Sequence, residues 1–347
     1  MNQRPRTGAP LAVALAIAGV SFGAPAVATA APPAGQPAVD AVGAVGITVG
    51  DLDRSVAFYR DVLSFTVVRQ EEAAGAPLEQ LEGVFGAHVR SVRLELGNEA
   101  IVLTQYLAPR GRPIPPETRS NDRAFQHVAI VVSDMDRAYA ALRAHQVRYV
   151  STEPQTLPQW NKGAAGIRAF YFADPDDHTL EVIWFPSGKG DPRWQRKTTA
   201  LFLGIDHTAI GVGDTARSLR FYRDALGLRV AGESENYGTE QEHLNNVFGA
   251  HLRITGLRAA SGPGIELLEY LSPRDGRPTP ADLHANDLQH WQTVLHARDV
   301  RPATTGALGA GGVAVSSDTV EVEDAAFRIH RGRLIRDPDG HGLLVAQ

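Results

Sequence analysis

The sequence predicts an α+β protein assembled from four copies of one strand–helix–strand–strand–strand module. Two observations carry that prediction. The chain repeats itself at an offset of about 163 residues: Val49–Leu63 reads VGDLDRSVAFYRDVL and Val212–Leu226 reads VGDTARSLRFYRDAL, identical at ten of fifteen positions. Each half then repeats again, because Phe125–Asp134 (FQHVAIVVSD) and Ile205–Asp214 (IDHTAIGVGD) both open a β-branched run with a His seven residues before an Asp. A fixed internal period marks duplicated structural units.

The elements follow in chain order. Arg4 and Arg6 precede an apolar run from Leu11 to Val20, and Ala28-Thr29-Ala30 supplies small residues for cleavage. Residues 1–30 therefore read as a secretory signal peptide, followed by a flexible leader over 31–40. After Val49-Gly50-Asp51 the apolar positions Val56, Tyr59 and Leu63 recur with helical spacing, as do Leu219, Tyr222 and Leu226. Strands follow around turns such as Asp174-Pro175-Asp176-Asp177. The modules span 41–107, 125–185, 204–271 and 288–346. They group into tandem halves, 41–187 and 201–347, joined by a Pro/Gly-containing linker over 188–200.

Composition narrows the chemistry. The 347 residues carry a net charge of −5, 43% hydrophobic and 21% charged residues, and no Cys. An acidic balance gives no electrostatic reason to expect nucleic acid, and no membrane association is expected once the signal peptide is removed. Without Cys there can be no disulfide, thiolate–zinc site, thiol nucleophile or iron–sulfur cluster. A metal would have to be held by His and carboxylate. With the signal peptide, this places the mature chain in the periplasm or outside the cell, as a monomer or homodimer.

The FYRDALG segment at Phe221–Gly227 and the DPDDHTLE ending at Asp174–Glu181 make the chain resemble the vicinal oxygen chelate superfamily, which includes glyoxalase I, bleomycin-resistance proteins and extradiol dioxygenases. The resemblance implies that modules pair into cup-shaped mixed sheets, with metal ligands on the first and last strands of paired modules. Carried over residue by residue, it implies His127 and Glu181 in module 2, and His207 and Glu266 in module 3. Glu181 and Glu266 would double as catalytic bases. Carboxylates inside the apolar runs Leu180–Trp184 and Ile265–Leu268 are costly to bury unpaired, which a cation would remedy. At the sister positions stand Ala44, Val102 and Leu344, none a ligand, while Gln292 lies opposite His127 and His290 is a reserve ligand.

Pairing modules 2+3 and 1+4 would gather all four donors in one cup. Pairing sequence neighbours, 1+2 and 3+4, is the commoner habit and remains the alternative. The metal would be Zn, Ni, Fe, Mn or Co, and the partner a small molecule chelated through adjacent oxygens. The expected activity is that of an exported glyoxalase-like lyase or isomerase. An extradiol-type dioxygenase, or a non-catalytic binding protein of the bleomycin-resistance type, are the alternatives. The duplicated His88 and His251 read as structural, Arg110 and Arg274 as capping or bridging the modules, Asn236 and Tyr237 as candidate cup lining, and Trp160 and Trp194 as packing or pocket walls.

Overall fold

The computed structural model describes residues 37–347. The segments expected to be a signal peptide and, up to residue 36, a leader lie outside the described residues. Module 1 contains β1 (Val39–Thr48), α1 (Leu52–Asp61), β2 (Thr66–Ala74), α2 (Ala76–Glu82), β3 (His88–Leu96) and β4 (Glu99–Ala108). Module 2 contains β5 (Gln126–Val132), α3 (Met135–Ala144), β6 (Arg148–Tyr149), β7 (Gln155–Thr156), β8 (Arg168–Ala173) and β9 (Thr179–Trp184). Module 3 contains β10 (Phe202–Val212), α4 (Thr215–Leu219) running on into a π-helical turn (Arg220–Ala225), β11 (Arg229–Tyr237), α5 (Thr239–Asn245), β12 (His251–Arg258) and β13 (Gly264–Ser272). Module 4 contains β14 (Trp291–Ala297), α6 (Val300–Gly309), β15 (Val313–Ala314), β16 (Val320–Asp324), β17 (Ile329–Arg336) and β18 (Gly342–Ala346). The first helix of every module starts on an aspartate, Asp51, Asp134, Asp214 or Asp299, whose side chain accepts a backbone N–H of the first turn.

The strands form two open nine-stranded sheets. One runs β15-β17-β18-β14-β1-β4-β3-β2, with β16 on β17, and joins modules 1 and 4. The other runs β11-β12-β13-β10-β5-β9-β8-β6, with β7 on β8, and joins modules 2 and 3. First strands meet antiparallel at each centre, β1 with β14 and β10 with β5, and each pairs in parallel with its own module's last strand. The structure thus pairs 2 with 3 and 1 with 4.

The helices follow the other grouping. One apolar core packs α1 and α3 on the outer faces of modules 1 and 2, with Ile47, Tyr59, Ile130, Phe170 and Val182. A second does the same for modules 3 and 4, with Ile210, Tyr222, Leu267, Leu295 and Val345. Strand alternation explains the division, since successive side chains point to opposite faces. Residues 128, 130 and 132 of β5 face the helices, leaving 127, 129 and 131 for the cup.

Arginines on the Pro-rich connections clasp the halves. Arg112 donates its backbone N and side chain to Asp287, and Arg277 does the same to Asp122. Gly111 and Gly276 precede them where a Cβ would sit 1.9 Å from the Asn286 carbonyl oxygen and 1.8 Å from that of Asn121. Bridging therefore falls to Arg112 and Arg277 rather than to Arg110 and Arg274; Arg274 bonds the Leu271 carbonyl within its own segment.

Candidate metal centre

His127 lies on β5 and His207 on β10, both on the cup side of the sheet of modules 2 and 3. The register sets Ala209 opposite His127 and Ala129 opposite His207, so the two imidazoles cross the central strand pair diagonally. Glu181 is opposite Ala129 on β9, and Glu266 opposite Ala209 on β13. Among the described residues, His127, Glu181 and His207 form a set whose ligand atoms all lie within 4.8 Å of one another. Glu181 Oε2 stands 3.1 Å from His127 Nε2 and 3.6 Å from His207 Nε2. Glu266 Oε2 reaches to 3.4 Å from His207 Nε2 but stays outside the mutually close set.

These groups suit a cation. Both ring nitrogens of His127 are buried without a hydrogen-bond partner, although Glu181 is near, so the imidazole and carboxylate converge without bonding each other. Donors about 2.1 Å from a common ion stand about 3.0–3.4 Å apart, close to the spacings found. With both imidazoles neutral, as in metal ligation, and counting Glu181, Glu266 and Asp206 as carboxylates and Arg258 as a cation, the site carries a formal charge of −2, which a divalent ion balances. Burial would lower the pKa of His207, but the charges of Glu266, Asp206 and Glu181 outweigh it and push it up to about 9. Burial would raise that of Asp206, yet His207, Arg258 and Trp194 hold it well below the carboxylate range. Tyr171, packed 4.8 Å from the His127 ring, is pushed well above its ordinary value by burial and then by Glu181.

A cavity of about 290 Å³ opens beside the cluster, lined by His207, Glu266, Arg258, Ser234 and the facing glycines Gly232 and Gly256. Glu181 is 4% exposed, while the Glu266 side chain is 29% exposed and borders this space. Asn236 is buried in a chain of amides, accepting from Asn161 at 2.6 Å and donating to Gln241 at 3.0 Å. Tyr237 is instead exposed and stacks on Trp160 at 4.3 Å. His88 and His251 repeat one arrangement, each 2.6 Å from a glutamate, Glu72 or Glu235.

Among the described residues, the other cup holds no such set. Ala44, Val102 and Leu344 lie together in an apolar cluster, and Gln292 donates to Glu82 at 3.3 Å. His290 sits beside that cup, 3.2 Å from Gln292, and burial pushes its pKa down to about 3. It immediately precedes β14, a strand of the other sheet from the one that carries His127 and His207. The cavity there is only about 20 Å³.

Sequence reasoning missed the surroundings of His207. Asp206, Arg258 and Trp194 form one hydrogen-bonded group with it. The repeat carried a signal, for the 163-residue offset that sets Ala44 against His207 also sets Gly43 against Asp206.

Comparison with known proteins agrees with this architecture. A "2-epi-5-epi-valiolone epimerase" of an Actinomyces species is 36% identical over 159 residues, 44% of this chain and 84% of that protein. A lactoylglutathione lyase of Arabidopsis thaliana is 28% identical over 187 residues, a match spanning 54% of each chain, so about half of that relative's length. Glyoxalase I from Zea mays superposes with a TM-score of 0.55 at 17% identity, covering 89% of this chain and 92% of that one. A putative dioxygenase from Bacillus subtilis does so with a TM-score of 0.55 at 14% identity, covering 90% and 86%. The sequence model of the Glyoxalase/Bleomycin resistance protein/Dioxygenase superfamily matches residues 41–182 and 204–345, and the chain belongs to that superfamily.

Proposed function

We propose that the protein is an exported, divalent-metal-dependent epimerase or isomerase acting on a small hydroxy-carbonyl compound. The observation that carries this reading is the convergence of His127, Glu181 and His207 beside a cavity that Glu266 borders. A divalent ion there would supply Lewis-acid chemistry to the oxygens of a bound substrate. His127, His207 and the buried Glu181 would hold it. Glu266, outside the tight set and facing the cavity, moves a proton at the carbon next to the carbonyl. The relative named as an epimerase supports this over a lyase acting on a glutathione adduct. Arg258, the cation among the cavity residues, is already engaged by Asp206, and leaves little to meet the carboxylates of such an adduct.

The test is solvent exchange. The metal-loaded protein, given a panel of small hydroxy ketones in D2O, should place deuterium at the carbon next to the carbonyl. Glu266→Gln should lose the exchange while keeping its metal. The two-His, one-carboxylate set also suits Fe(II) oxygen chemistry. Oxygen uptake with catechols in place of deuterium exchange would select that second reading. Export is tested by mass spectrometry of the exported protein, whose N-terminus should lie at or near Ala31.

A further inference from the structure

The segment that joins the two halves reaches into the metal site. Trp194, on a 3-10 turn over Pro192–Gln195, donates its indole N–H to Asp206 Oδ1 at 3.0 Å. Asp206 Oδ2 lies 3.0 Å from His207 Nδ1. Arg258 holds the same residue from the other side, with one nitrogen 2.8 Å from Oδ2 and another 2.8 Å from the carbonyl oxygen. The backbone here is pinned as well. Glu99 accepts the Ile205 N–H at 3.1 Å and the Arg193 guanidinium at 2.7 Å, and Arg193 stacks over the Trp194 ring at 3.8 Å.

Strand β10 makes room for this by a bulge. Ile205 pairs with Ile130 and His207 with Ala129, so Asp206 is left without a partner on β5. A bulge re-aims a side chain that regular alternation would send to the other face. His127 has no comparable support: its Nδ1 is unpartnered, and it is held by ring packing against Tyr171 and Phe125. The duplicated module provides a control. In module 1 the sister residues are Gly43 and Ala44, so the carboxylate and the imidazole are absent together.

We propose that Asp206, held by the linker residue Trp194 and by Arg258, is the positioning residue of the metal centre: it keeps the proton on His207 Nδ1 and presents Nε2 to the ion. His207 is then the preoriented imidazole and His127 the adaptable one. A carboxylate on the far nitrogen of a ligating His fixes its orientation and raises its donor strength. The inference rests on reading the three-residue set as a divalent-metal site.

The test titrates the full chain with Zn²⁺ alone. Asp206→Ala should weaken binding by about 10–100-fold, the usual cost of losing such a partner. Asp206→Asn, whose amide oxygen can still accept from Nδ1–H, should recover part of that loss. Trp194→Phe should weaken binding less, in the same direction. In the Zn²⁺-loaded wild type, ¹⁵N NMR should show a slowly exchanging His207 Nδ1 proton, and Asp206→Ala should lose it. Should Asp206→Ala fail to fold, the near-isosteric Asn variant carries the test. Wild-type Zn²⁺ affinity in a natively folded Asp206→Ala protein, or in the Asp206→Asn protein where the Ala variant does not fold, would overturn the assignment. A wild type that binds no Zn²⁺ would overturn the metal-site reading itself.

Discussion

The Tyr59 hydroxyl donates to Asp174 Oδ2 at 3.2 Å, and 163 residues later Tyr222 donates to Asp337 Oδ2 at 3.0 Å. Each bond ties the helix of an odd-numbered module to the Asp-Pro-Asp turn of the module that follows it. Helix packing therefore joins modules 1 with 2 and 3 with 4, while hydrogen-bonded strands join 1 with 4 and 2 with 3.

The two copies of that bond are not equivalent, and substitution should separate them. Asp174 Oδ2 also lies 2.9 Å from His178 Nδ1, a second partner on the same oxygen. Asp337 receives its backbone donors on Oδ1, leaving Oδ2 to Tyr222. Tyr222→Phe should cost about 1.5–3 kcal/mol, as for a lost hydrogen bond to a charged acceptor. Tyr59→Phe should cost less. Urea denaturation of the two variants measures the difference, and equal losses would contradict the argument.

One tight divalent ion per chain is expected. The sister site is filled by Ala44, Val102 and Leu344 in apolar packing, and Gln292 is engaged by Glu82. Elemental analysis after metal loading and desalting checks this, with two tight equivalents as the contrary result.

Substitution of single histidines should respect the sheet pairing. His127→Ala and His207→Ala each remove one of three convergent donors and should weaken metal binding by more than the about 10–100-fold that supporting residues cost. His290→Ala acts in the other sheet and should leave affinity essentially as it was. Calorimetric titration of the three variants decides, and a silent His127→Ala would dissolve the proposed site.

Glu82 makes stability depend on pH. Burial pushes its carboxyl up to about 7, although Gln292 and Tyr106 bond it. The folded state therefore binds a proton that the unfolded chain has released, so this contribution is full below the unfolded pKa near 4.5 and is lost as pH rises to about 7. The shift corresponds to about 3 kcal/mol. Glu82→Gln should flatten that decline, measured as denaturation midpoints between pH 4.5 and 8; an unchanged slope would assign the dependence to other groups.

Much of this was legible in the sequence, for reasons that differ by element. His127, Glu181, His207 and Glu266 stand out because each breaks an apolar strand pattern, and alternation puts all four on one face. The pairing of modules was readable only indirectly, from where ligands were missing, since local periodicity says nothing about which edge strands meet. Asp206 escaped notice because a bulge changes which way a side chain points, and regular alternation assigns it to the wrong face. The clasp was misplaced by two or three residues, from Arg110 and Arg274 to Arg112 and Arg277. Loop arginines are selected by what they reach, and no period marks that reach. The helices α2 and α5, next to the duplicated VFGAH segments, are only seven residues each and too short to show a pattern.

The crossed pairing of sheets and helices has a consequence for how the molecule can be divided. Cleaving it between residues 188 and 200 would give two fragments, each keeping most of one helix-side core and half of both cups. Each fragment would expose the unpaired edges of its two first strands, β1 and β5 or β10 and β14. Those edges complement each other in register across the break. The separated halves should therefore behave as the subunits of an obligate heterodimer. His127 and Glu181 would arrive with one subunit and His207 and Glu266 with the other, so that metal binding would report reassembly.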